Sequence, residues 1–166
     1  MSERVYTDTE ILRLISEIKR LPINWRKISS IETTGNAICQ TVKVTGDEGN
    51  LFVLKLRQGT FNINNFSLTL GFQKEGTTTL FRVKRYDGKY KQHTNPIEKE
   101  SFYNFHIHTA TERYQKYGTG EEDKYAIETS NFSNYEDAIQ YLIGDCNFVI
   151  DPDPQLNLFG DNNGNN

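Results

Sequence analysis

The sequence predicts an α+β domain: an antiparallel meander of five to six strands with an N-terminal and a C-terminal helix on one face. Three observations carry this expectation. Apolar residues recur at helical spacing only near the two ends of the domain. Through the middle they alternate with a period of two. The alternating stretches follow one another without helices between them, which implies antiparallel neighbours and permits one uncovered sheet face.

The first helix is expected to begin at Thr7, whose hydroxyl can cap it, with Glu10 three residues on completing a capping box. Ile11, Leu12, Leu14, Ile15, Ile18 and Leu21 supply its apolar residues, and Pro22 ends it by lacking an N–H and restricting the residue before it. Arg26 to Glu32 reads as a weak strand. After the Gly35-Asn36 turn, Ala37 to Thr45 places Ile38, Val42 and Val44 on one side. Leu51 to Arg57 groups Phe52, Leu54 and Leu56 against Lys55 and Arg57. The clearest half-buried strand sets Phe66, Leu68, Leu70 and Phe72 against Ser67, Thr69, Gly71 and Gln73. Thr78 to Tyr86 buries Phe81 and Val83 and turns Arg82 and Lys84 outward, and Asp87-Gly88 signals a hairpin. Tyr103, Phe105 and Ile107 then alternate with Asn104, His106 and His108. Residues 116–124 read as a charged loop and 125–129 as a short edge strand. Ser133 and Glu136 form a second capping box before a helix carrying Tyr135, Ala138, Ile139, Leu142 and Ile143 that ends at Gly144. Residues 146–150 can add a last short strand.

At 166 residues there is room for one domain, assigned to 1–150, followed by a polar tail at 151–166 that opens with Asp151-Pro152-Asp153-Pro154. Aromatic residues make up 12% of the chain, enough large side chains to argue for a packed core. The net charge of −3 gives no overall attraction to nucleic acid and leaves only a local basic face. Cys39 and Cys146 show no ligand spacing and read as free thiols in a reducing compartment. Met1 to Arg4 lacks an apolar signal region and no apolar run reaches membrane-spanning length, so a cytoplasmic protein without membrane contact is expected. No Gly-rich phosphate loop or nucleophile elbow is present, and no cofactor is expected.

Two features bear on function. The first is the His106-x-His108 strand, whose alternate residues stand about 7 Å apart on one face. With Lys55, Arg57, Arg82 and Lys84 on the same side, the pair suits phosphate contact or acid–base chemistry, making His106 and His108 the candidate catalytic residues and the four cations the candidate phosphate ligands. Ordinary solvent-facing histidines fit the same pattern. His93 can approach from the preceding connection, but two assured ligands do not make a metal site, and none is assigned. Tyr86-Asp87, Asn95-Pro96, His106-x-His108 and the capped helix from Ser133 to Ile143 follow an order that resembles the small TumE-type toxins of bacterial toxin–antitoxin pairs. This chain lacks their paired histidines just before His106, and its connections are longer. The resemblance implies a bacterial or phage toxin-like or defence-associated protein acting on nucleic acid or replication, with an antitoxin or other protein as a partner.

The second feature is Gln155-Leu156-Asn157-Leu158-Phe159, which resembles the Gln-Leu-(Ser/Asp)-Leu-Phe motif by which bacterial polymerases and repair proteins hold the DNA sliding clamp. That resemblance implies a partner-binding tail: Leu158 and Phe159 enter an apolar pocket, Gln155 bonds at its rim and Leu156 lies along a groove. Folding back of these side chains onto the domain is the competing expectation. A non-enzymatic interaction domain, scaffold or inhibitor, is the alternative for the whole chain, since no strong catalytic motif decides whether a reaction occurs.

Overall fold

The computed structural model describes residues 3–152, so the pentapeptide at 155–159 lies outside the described residues. Helix α1 (Asp8–Ser16) begins as its capping box requires: the Thr7 hydroxyl accepts from the Glu10 N–H (3.1 Å), and the Glu10 carboxylate accepts from the Thr7 N–H (2.8 Å). It stops well before Pro22. Lys19–Pro22 is instead a strand, β1, paired in parallel with the last strand, β11 (Phe148–Asp151), so Leu21 is buried as a strand residue opposite Ile150. A partner from the far end of the chain overrides the helical spacing of Ile18 and Leu21. Trp25–Ile28 forms a single helical turn, α2, where the sequence suggests a strand, and β2 (Ser30–Thr34) follows it.

The meander proper continues through β3 (Ala37–Thr45), β4 (Leu51–Gly59), β5 (Phe66–Gln73) and β6 (Leu80–Asp87). A small hairpin, β7 (His93–Asn95) with β8 (Glu100–Phe102), is inserted before β9 (His106–Thr109). Then come α3 (Glu112–Tyr117), β10 (Ala126–Glu128) and α4 (Tyr135–Asp145). Seven strands, one or two more than expected, pair antiparallel in the order β10-β9-β6-β5-β4-β3-β2. Phe52, Leu54 and Leu56 of β4 and Phe66, Leu68, Leu70 and Phe72 of β5 share one core cluster with Ile11 and Leu14 of α1 and with Ala138, Ile139 and Leu142 of α4. Both terminal helices therefore cover the same sheet face. The cap of α4 is Asn134, not Ser133: its side chain accepts from the Asp137 N–H at 2.9 Å.

Two departures position the site. Asp87-Gly88 is no two-residue hairpin; Asp87 ends β6 opposite His106, and the chain runs on to β7. A Cβ at Gly88 would lie 1.9 Å from the Asn64 carbonyl oxygen, so close approach of two backbones demands glycine there. The second is a β-bulge. Leu70 pairs with Lys84 while its neighbour Gly71 pairs with Arg82, leaving Val83 as an extra residue. Beyond Val83 the alternation is reversed, as a one-residue slip requires. Lys84 consequently lies on the helix-covered side, paired with Asp145 of α4, rather than on the outer face. Both cysteines are free. No helix among the described residues is long and apolar enough to cross a membrane.

Candidate functional site

The reversed alternation turns Arg85 and Asp87 to the outer face, where register sets Arg85 opposite His108 and Asp87 opposite His106. The two histidines stand, as expected, on the side away from Ile107, which packs against the core. They are not solvent-facing. His106 is 5% exposed and His108 1%, because the β7–β8 hairpin and the segment leading to β10 fold over this part of the sheet. The hairpin brings His93 onto the pair, with ring centroids 5.2 Å from His106 and 4.7 Å from His108; the two strand histidines are 4.9 Å apart. Phe102, paired with His93 across the hairpin, packs against both His93 and His106.

The hydrogen bonds around these rings fix their tautomers. His106 Nδ1 lies 2.7 Å from the Asn104 carbonyl oxygen and His108 Nδ1 2.7 Å from that of Asp123. A carbonyl only accepts, so each Nδ1 carries the hydrogen, and in the neutral ring each Nε2 is a bare lone pair. Asn95, fully buried, acts as a surrogate strand partner for Ala126: its Nδ2 donates to the Ala126 carbonyl (2.7 Å) and its Oδ1 accepts the Ala126 N–H (2.9 Å). That orientation makes Oδ1 the acceptor for His93 Nε2 at 2.8 Å, so the lone pair of His93 is on Nδ1. One ring nitrogen from each of the three histidines lies within 4.8 Å of the others.

Asp87 completes the cluster. Its Oδ1 accepts from the Ser67 hydroxyl at 2.6 Å, and its Oδ2 faces His108 Nε2 at 3.2 Å and His106 Nε2 at 3.5 Å. Burial pushes the Asp87 carboxyl up, but hydrogen bonding to His106 and His108 and the charge of Arg85 outweigh it and hold the group far below the usual carboxylate range. Burial pulls His108 down against the raising effect of Asp87, and burial likewise pulls His93 down against its bond to Asn95. Arg85 lies above this array: its Nη2 is 3.0 Å from His108 Nε2, and its Nε sits 3.4 Å from Asp87 and 3.6 Å from Asp123. The Nε atoms of Arg82 and Arg85 and Asp123 Oδ2 are buried without a hydrogen-bond partner, a concentration of unmet polar groups beside the histidines. Lone pairs available to a cation are offered by His93, His106, His108 and Asp87, and a proton can move between either strand imidazole and Asp87.

A cleft of about 910 Å³ opens onto the cluster. Four cationic side chains line it, Arg57, Arg85, Lys91 and Lys124, against the carboxylates of Asp87 and Glu121; Tyr90 and Tyr117 add aromatic walls. Arg57 donates to the neutral amide of Asn65 (3.0 Å), and Lys91 lies over the Tyr90 ring (5.4 Å to its centroid). Of the four cations expected beside the histidines, only Arg57 lines this cleft. Lys55 and Arg82 line a neighbouring one with Lys74 and Glu122, where Arg82 pairs with Asp123 (3.2 Å) and Glu122, and Lys84 is on the other face. Sequence reasoning missed Arg85, Lys91 and Lys124 and read Asp87 as a turn residue. The bulge hides Arg85 and Asp87, and the lysines are gathered only where the connection into β7 brings Lys91 and the loop between α3 and β10 brings Lys124 over the sheet.

The family model described as "Family of unknown function (DUF6978)" matches residues 6–149, and the chain belongs to that family. No curated protein and no solved structure matches it significantly.

Proposed function

We propose that this DUF6978 protein binds a phosphate-bearing substrate of the nucleic-acid class in the cleft above β6 and β9, and acts on it through the buried cluster beneath. The observation that carries this reading is the pairing of a cationic, aromatic-walled cleft with a floor of three imidazoles and an ionised carboxylate, in a chain whose overall charge is negative. Lys and Arg position phosphates whatever the base sequence, and aromatic walls give bases a surface to stack on. His106 and His108 stay in the candidate catalytic role. His93 and Asp87 join them, and Arg57, Arg85, Lys91 and Lys124 take the place of the set Lys55, Arg57, Arg82 and Lys84 as phosphate ligands. The biological setting is a toxin-like or defence-associated one, in which the pentapeptide Gln155 to Phe159 recruits the protein to the DNA sliding clamp; both rest on sequence resemblance.

Fluorescence anisotropy with single-stranded RNA and DNA oligonucleotides tests the binding. Affinity falls with salt, and Lys91→Ala/Lys124→Ala weakens it while lowering the salt slope by about one for each charge removed. Expression in a bacterial host tests the action: growth arrest by the wild type, relieved by His106→Ala/His108→Ala at equal soluble protein level, supports chemistry at the cluster. Oligonucleotide affinity indifferent to Lys91 and Lys124 overturns the reading.

A further inference from the structure

We propose that His93, His106 and His108 bind one divalent transition-metal ion, with Asp87 Oδ2 as a fourth ligand. The three ring nitrogens lie within 4.8 Å of one another, and Asp87 Oδ2 is 3.2 and 3.5 Å from two of them. Imidazoles held by one tetrahedral ion through bonds of about 2.0–2.1 Å set their ring centroids roughly 5 Å apart. The three centroid separations here are 4.7, 4.9 and 5.2 Å. The rings are thus already at the spacing an ion requires, and small rotations bring the nitrogens inward.

The surroundings match a metal site in a second, independent way. Each histidine gives its other N–H to a protein oxygen: His106 to Asn104, His108 to Asp123, His93 to Asn95. Such outer bonds fix tautomer and ring orientation in metal-binding histidines. Ser67 does the same for Asp87 by holding Oδ1 and leaving Oδ2 to point at the rings. Each ring thus keeps its second nitrogen for the centre, where a shared proton or a metal cation can bridge the imidazoles of His106 and His108 to Asp87 Oδ2. Imidazole nitrogens with one carboxylate favour zinc-like first-row ions over magnesium or calcium, which prefer all-oxygen shells.

Arg85 sets the electrostatics of the centre. Its Nη2 lies over the His108 ring, 3.0 Å from Nε2 and 3.3 Å from Nδ1, and places a positive charge against a proposed ligand. An arriving ion adds a second positive charge beside this guanidinium. Removing the Arg85 charge therefore strengthens metal binding, a direction opposite to that of removing a ligand. The ion and the phosphate reading are separable: metal can be bound with no nucleic acid present, and oligonucleotide can be bound with the centre left without metal.

The test uses the full chain, without a polyhistidine tag, stripped by a chelator and dialysed. Titration with Zn²⁺ against a chromophoric competitor gives the affinity and stoichiometry, and Co²⁺ gives the visible bands of a tetrahedral site with nitrogen ligands. One equivalent of Zn²⁺ and a tetrahedral Co²⁺ spectrum are expected. His93→Ala, at a half-buried position on the hairpin that leaves the main sheet untouched, weakens binding by more than the roughly 10–100-fold that loss of an outer-shell partner costs. Arg85→Met tightens it by about tenfold, as neutralising a cation in contact with a ligand does. A folded chain, judged by circular dichroism, that develops no Co²⁺ bands overturns the proposal. So does a bound ion whose affinity is the same in His93→Ala and Asp87→Asn, because that ion lies elsewhere. Oligonucleotide anisotropy on the stripped chain reads the phosphate proposal separately.

Discussion

On the helix-covered side of the molecule, the Lys19 ammonium is fully buried and donates to three carbonyls, those of Ile15 (3.0 Å), Glu17 (2.8 Å) and Cys146 (2.8 Å), above the Phe52 ring. Nearby, Asp145 accepts from the Tyr86 hydroxyl and pairs with Lys84. Three donors meet three acceptors, and the carboxylate meets a cation. On the outer side of the seven-stranded sheet, the histidine cluster gives its outer N–H groups to Asn95, Asn104 and Asp123 and turns its strand imidazoles to Asp87, beside Arg85, whose Nε has no hydrogen-bond partner. Both clusters are buried and polar, but only one is satisfied from within. Buried polar groups that complete one another stabilise a fold, and those left without a partner need a separate explanation, which the metal proposal supplies. Burial alone would have ranked the two alike.

That contrast can be broken by substitution. Lys19→Met leaves three carbonyls without the donor that ties β1 to α1 and the end of α4, and should cost at least about 3 kcal/mol in urea unfolding, the sum expected for buried acceptors left unmet. No loss of stability would mean that the Lys19 network does not hold β1 to α1 and the end of α4. It should leave the metal affinity of the folded fraction unchanged.

A smaller effect comes from pH, and the two clusters respond in different windows. Burial pulls the Lys19 ammonium down to about 8. Its folded pKa lies below the unfolded one, so the unfolded chain binds more protons in between and stability rises with pH above about 8. The gain between pH 8 and 9 should be about 1 kcal/mol. Higher pH brings an opposite contribution from the Cys146 thiol, which burial pushes up to about 11. His93 and His108 are also lowered, so the same sign applies in their own window: stability falls as pH drops below about 6.5. Chemical denaturation at pH 5.5, 7, 8 and 9 checks both. Lys19→Met should abolish the alkaline rise and keep the acidic fall, whereas His93→Ala should lessen only the acidic one.

The smallest expected effect on the fold is that of the tail. On the clamp-binding proposal, Leu158→Ala/Phe159→Ala should change unfolding free energy by less than about 0.5 kcal/mol, the range of substitutions that remove no core packing. It should abolish binding of the tail peptide to purified sliding clamp by calorimetry. A larger loss of stability would mean that these side chains pack on the domain.

Alternation was a reliable guide in β4, β5 and β9. Phe66, Leu68, Leu70 and Phe72 face the core as read, Phe52, Leu54 and Leu56 likewise, and Ile107 lies opposite His106 and His108. It misled at Lys84, because a bulge leaves no mark in residue order, and at Leu21, because a parallel partner from the other end of the chain competes with helical spacing. For the site, the sequence supplied the paired imidazoles and the cation Arg57. It named His93 as able to approach from the preceding connection but could not place its ring, and it could not supply Asp87 as a partner, since each depends on where a turn sends the chain.

The sequence by itself determined an antiparallel α+β body, its covered face, the capped start of α1 and the histidine-bearing side of β9, because these follow from local periodicity and local hydrogen bonding. Only the tertiary structure decided that this side is roofed by a hairpin and that four lone-pair donors converge beneath it. Convergence is a property of distances between segments far apart in the chain, and spacing along one strand does not encode it.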